Sequence, residues 1–122
     1  MTRIMHFEIP ADDPARASEF YSKVFGWKFE KWDGPMEYWM ITTGKEGEPG
    51  INGGMMKKGE KLDRVRNTIN VSSIDECVEK IEKAGGKVLS PKMPIPGVGW
   101  FTLFTDTEGN VHGLMQPDEN AK

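Results

Sequence analysis

Apolar residues recur along this chain with two different periods, and the changes between them mark out its elements. From Ile4 to Ile9 they alternate, so Met5, Phe7 and Ile9 share one face of a strand and Ile4, His6 and Glu8 the other. Pro10 ends the run. Asp13 can cap a helix, and Pro14 sits in the first turn, where a missing N–H loses no helical hydrogen bond. Ala17, Phe20, Tyr21, Val24 and Phe25 then follow helical spacing, which places Phe20 and Val24 in the core, and Gly26 supplies a stop. Trp27 to Trp32 and Glu37 to Thr43 read as strands around the turn Asp33-Gly34-Pro35. Ile51 to Met56 reads as a short strand beyond the polar loop Lys45 to Pro49.

The same order returns in the second half. Arg66 to Val71 is a half-polar strand with Ile69 and Val71 alternating with Thr68 and Asn70. Ser73 and Glu76 form a capping-box pair, Ile74, Cys77, Val78 and Ile81 make an apolar stripe, and Gly85-Gly86 closes the helix. Lys87 to Leu89, Trp100 to Thr105 and Val111 to Gln116 read as strands, with Pro91 to Gly99 as a loop and Asp106 to Asn110 as a turn. The expected fold is therefore α+β, with two βαβββ modules, about residues 1–57 and 65–117, in a single domain. Two such units can form an open eight-stranded cup with the helices outside and the polar strand faces inside. Strand parity then gives a lining of His6, Glu8, Arg66, Thr68 and Asn70, with Trp39 and Trp100 as walls.

Composition narrows the function. The 122 residues suit one domain, and a formal net charge of −3 argues against general binding to nucleic acid. No stretch approaches the roughly 20 apolar residues of a membrane span, and the N-terminus lacks a secretory-signal layout, so the expected location is the cytoplasm and no membrane partner is expected. Cys77 is the only cysteine, which rules out an intramolecular disulfide and cysteine-pair zinc sites; its place on the helix stripe suggests a buried, inert thiol.

His6 in the first strand, Asp13-Pro14-Ala15-Arg16-Ala17 followed by Phe20-Tyr21 and Val24-Phe25-Gly26-Trp27, and the ending Asp106-Thr107-Glu108-Gly109-Asn110 resemble the vicinal oxygen chelate superfamily. That superfamily includes glyoxalase I, bleomycin-resistance proteins and extradiol dioxygenases, so the resemblance implies the fold more than the reaction. It also implies a divalent metal held by His or carboxylate side chains from the first and last strands of each half. Here His6 alone matches. Arg66 or Asn67 stands where a second-half ligand is implied, Gly113 stands where a Glu is implied, and Asn52 is the one oxygen-bearing side chain of Ile51 to Met56. No metal or other cofactor is therefore expected, because one imidazole does not hold zinc or nickel tightly.

The expected function is binding of a small organic molecule by a glyoxalase- or bleomycin-resistance-like homodimer. The alternatives are a metal-dependent lyase related to glyoxalase I, a dioxygenase, and a drug-sequestering protein using Glu8 and Glu37 beside the tryptophans. Glu8 can serve as a base or pair with Arg66. His112 should turn toward the helices if Gly113 points inward. Lys57, Lys58, Lys61, Arg64 and Arg66, interrupted by Glu60 and Asp63, read as a solvated linker.

Overall fold

A computed structural model describes residues 2–122. In chain order the elements are β1 (Ile4–Ala11), α1 (Pro14–Phe25), β2 (Lys28–Lys31), β3 (Trp39–Thr42), β4 (Gly53–Lys57), β5 (Arg66–Asn70), α2 (Ile74–Lys83), β6 (Lys87–Val88), β7 (Met93–Ile95), β8 (Gly99–Thr105) and β9 (Val111–Pro117). The class is α+β and the first half has the expected order. The second half gains β7, so the described strands number nine rather than eight. That strand lies in the stretch expected to be loop. Met93 to Ile95 folds back on Phe101 to Gly99 in antiparallel register, extending a hairpin.

Two compact units emerge, His6–Arg66 and Asn67–Lys122 with Thr2 to Met5. In the first, the strands run in the order β2-β3-β4-β1, with β1 parallel to β4 and the other pairs antiparallel. Asp13 caps α1 by accepting from the Arg16 amide at 3.1 Å, and Gly26 ends it in the left-handed conformation at φ 75°. The core is Ile9, Ala11, Ile41 and Met55, packed by Ala17, Tyr21, Trp27, Phe29 and Trp39. Tyr21 stacks on Trp27 with centroids 5.2 Å apart.

Phe20 and Val24 are not core residues. They are 56% and 55% exposed, because α1 presents the Ala17/Tyr21 row to the sheet and turns the adjacent row outward. Periodicity alone cannot choose between two apolar rows that lie side by side on one helix.

In the second unit β5 pairs in parallel with β9, β9 with β8, and β8 with β6 and β7. Ser73 caps α2 by accepting from the Glu76 amide at 3.2 Å. The core is Val71, Ile74 and Leu114, with Ile69, Cys77, Val78, Ile81, Trp100 and Phe104 against it. Cys77 is half-buried there, and burial raises its thiol pKa above the usual value. Among the described residues no helix is long and apolar enough to cross a membrane. The basic stretch before β5 is not simply solvated: Leu62 is 3% exposed, and Gly59 and Leu62 bridge through their backbones.

Candidate functional site

The polar cluster of the first unit starts from the parity of β1. Phe7, Ile9 and Ala11 pack with the α1-covered core, so His6 and Glu8 project from the opposite face. Glu8 is buried, with 8% of its surface exposed. A buried carboxylate needs partners to offset desolvation. Arg66, equally buried, donates to Glu8 Oε1 from Nε at 3.1 Å and also from Nη2, and its Nη1 donates to the Lys61 carbonyl at 3.1 Å. Glu8 Oε2 accepts from the Tyr38 hydroxyl at 2.9 Å, and that hydroxyl lies 2.7 Å from His6 Nε2.

Tyr38 reaches Glu8 because β4 has no side chain in its way. Gly54 pairs in register with Glu8 on one side and with Met40 on the other, and a Cβ at Gly54 would overlap the Tyr38 hydroxyl. Trp32 packs edge-on against the Tyr38 ring, centroids 6.1 Å apart, and its amide donates to the Tyr38 carbonyl at 2.8 Å. Burial lowers the pKa of His6 below 6.5, with Arg66 adding to that effect and the Glu8 charge opposing it. Burial, the Glu8 charge and the hydrogen bond to Glu8 all raise the Tyr38 pKa, against Arg66, so the phenol stays protonated.

His6, Glu8 and Arg66 thus come together, and Tyr38 joins them although the sequence reading passed it over. Alternation does separate Tyr38 and Met40 from Trp39 and Ile41, but it does not say which face meets the core. Trp39 proves to be on the core face, packed among Ile9, Ile41 and Met55 with Lys31 5.8 Å over its ring, and so is not a wall beside His6. Trp100 and Asn70 belong to the second unit. Trp100 packs against the α2-covered core and donates to Asp118 at 3.1 Å, with Lys92 5.3 Å over its ring. Asn70 is half-buried, and its backbone N–H donates to the Arg3 carbonyl at 2.9 Å.

His112 stacks on Phe104 with centroids 5.5 Å apart, as its parity suggested, and its buried Nδ1 has no hydrogen-bond partner among the described residues. Glu37 is exposed and pairs with Lys31 at 3.8 Å, and the carboxylate of Glu8 is taken by Arg66 and Tyr38. The two acids considered for a cationic compound are therefore engaged elsewhere. Two open concavities lie apart from the cluster, one at the start of α1 along Asp13, Arg16 and Phe20, the other beside α2 along Asp75, Lys92 and Thr102.

Whether a divalent ion can be held turns on the donors each unit brings together. Such an ion needs several imidazole or carboxylate donors. His6 Nε2 is engaged with Tyr38, a guanidinium lies against Glu8, and the residue facing Glu8 from β4 is Gly54. In the second unit, Gly113 faces Thr68 in the same way. Among the described residues no three His, Cys, Asp or Glu side chains converge.

Residues 3–44 match the family described as bleomycin resistance protein-like N-terminal. A glyoxylase-like domain-containing protein from Didymella fabae is 37% identical over 117 residues, covering 92% of this chain and 91% of its own. "Putative glyoxylase CFP32" from Mycobacterium bovis is 29% identical over 93% of this chain, which spans 45% of that longer protein. Among solved structures, methylmalonyl-CoA epimerase from Mycobacterium tuberculosis superposes with a TM-score of 0.71 at 14% identity, over 94% of this chain and 87% of its own. The hypothetical protein BH1468 from Bacillus halodurans gives 0.72 at 15% identity, over 99% and 98%. These structural likenesses speak for the fold, and the similarity to the Didymella protein along nearly the whole of both chains speaks for descent: the chain belongs to the glyoxalase-like proteins of the vicinal oxygen chelate superfamily.

Proposed function

We propose that this protein binds a small organic molecule at the polar face carrying His6, Glu8 and Tyr38, as a glyoxalase- or bleomycin-resistance-like protein that works without a tightly held metal. The observation that carries this reading is the guanidinium of Arg66 buried against Glu8. A fixed cation already neutralises the carboxylate that a metal would otherwise share, and Glu8 is paired within the cluster while His6 stays partly exposed. Such a patch offers a few placed polar groups to a ligand, which is how small-molecule sites gain orientation. The homodimer belongs to this reading too, and light scattering that shows only a 13.7 kDa species at every concentration contradicts that part.

The test is a metabolite screen by thermal stabilisation on the wild type and on His6→Ala, with elemental analysis after incubation in zinc, nickel, manganese or iron and desalting. Compounds that stabilise the wild type alone, with far less than one metal ion retained per chain, support the reading. One retained ion per chain overturns it. The names of the glyoxylase-like relatives favour a second reading, a glyoxalase-like lyase. Turnover of the methylglyoxal–glutathione hemithioacetal decides between the two.

A further inference from the structure

We infer that the relay Arg66–Glu8–Tyr38–His6 fixes the His6 proton on Nε2, leaving Nδ1 as a hydrogen-bond acceptor for the bound molecule, which therefore carries a hydroxyl or N–H donor at that point. This rests on the binding reading above and names the group the ligand must present. The argument is a count of protons along the relay. Arg66 is a permanent cation with donors only, and two of its nitrogens donate to Glu8 Oε1, so Glu8 is a carboxylate that can only accept. The hydrogen between Tyr38 and Glu8 Oε2, 2.9 Å apart, must then belong to the tyrosine. A phenol has one hydrogen. With it spent on Glu8, the Tyr38 oxygen can only accept across the 2.7 Å contact to His6, so His6 Nε2 carries a proton.

In the neutral ring the other nitrogen is then a bare acceptor, and burial favours the neutral ring. Nδ1 makes no hydrogen bond to the described residues, and His6 is only half-buried. The arrangement also sets aside Nε2 for the protein. A ligand that meets His6 by hydrogen bonding without disturbing Tyr38 meets Nδ1, and a donor is the group that nitrogen accepts.

The direction of the relay can be reversed by design. In Glu8→Gln, Arg66 still requires an oxygen at the Oε1 position, which turns the new amide NH2 toward Tyr38. Tyr38 then accepts from Gln and donates to His6 Nε2, moving the imidazole proton to Nδ1. Long-range proton–nitrogen correlation spectra of the full chain with ¹⁵N-histidine, at about pH 8 where imidazole is neutral, report the tautomer directly. His6→Gln assigns the signal, since the only other histidine is His112.

The expected wild-type spectrum is the Nε2–H form, Glu8→Gln should show the Nδ1–H form, and Tyr38→Phe, which keeps the ring but loses the oxygen, should show a mixture. A wild-type Nδ1–H form overturns the relay, as does an unchanged spectrum in Tyr38→Phe. The ligand half is read with phenol and its O-methyl ether anisole as probes: phenol should shift Nδ1 and anisole should not. Equal shifts, or no shift with phenol, overturn that half. The tautomer is measured with no ligand present, so a metabolite screen without a hit leaves the relay standing and is a separate failure.

Discussion

The two halves of the chain build the same construction with different chemistry. In the first, Glu8 faces Gly54 across parallel strands, Met40 faces that glycine from the antiparallel side, and the ring of Tyr38, two residues before Met40, lies over the glycine. In the second, Thr68 faces Gly113, Leu103 faces it from the antiparallel side, and the ring of Phe101, two residues before Leu103, lies over the glycine, where a Cβ would come within 2.8 Å of both that ring and Thr68 Oγ1. Packing is solved identically. Only the first ring bears a hydroxyl, and only the first strand residue is charged. The polar network therefore exists in one half, while Thr68 Oγ1 is buried with no hydrogen-bond partner among the described residues. The scaffold is common to both halves, and two side chains decide whether a polar network forms on it.

The strongest break in that comparison is Glu8→Ala. It strands a buried guanidinium and should cost about 3–5 kcal/mol in urea unfolding, whereas Glu8→Leu with Arg66→Met should recover most of the loss. The cost follows from the burial of this carboxylate against Arg66. Next, Gly113→Ala and Gly54→Ala should each lose roughly 1–3 kcal/mol, because the overlying ring has to move, and Gly54→Ala should also release His6 from its fixed tautomer.

Tyr38→Phe, which makes the first half resemble the second, should cost about 1–2 kcal/mol by leaving Glu8 Oε2 and His6 Nε2 short of a partner. Acid acts on the same half. The folded pKa of His6 is below its unfolded value of 6.5, so its contribution is intact above pH 6.5 and is lost as the pH falls toward the folded pKa, because the unfolded chain binds the proton first. Stability measured against pH should therefore fall less steeply below 6.5 in His6→Gln than in the wild type. The smallest effect belongs to the second half: Thr68→Val removes an unpaired buried hydroxyl and should leave stability unchanged or raise it by up to about 1 kcal/mol.

Much of the architecture was legible because its signals are local. Asp13 and Ser73 cap the helices they were expected to cap, and the alternation in β1 places His6 and Glu8 on a face away from Phe7 and Ile9. Two of the errors share one cause. Tyr38 just before β3 against Trp39 at its start, and the Ala17/Tyr21 row against the Phe20/Val24 row in α1, are pairs of adjacent choices that a period leaves equal. Tyr38 carries a weak signal of its own, an aromatic with a hydroxyl on the face of Met40, and it gains meaning only once that face is known to meet Glu8.

By itself the sequence determined the element order of the first half, the N-caps of both helices, the repetition of the two halves and the family likeness, since each depends on residues within a few positions of one another or on their order along the chain. Tertiary structure decided which of the polar side chains touch and brought in Tyr38. Glu8 and Arg66 are 58 residues apart and Glu8 and Tyr38 are 30 apart, so no periodicity relates them. What joins them is the desolvation of a carboxylate on a buried strand face, which must find a cation and a donor wherever the register of β4, an unobstructed glycine and the start of β5 happen to deliver them.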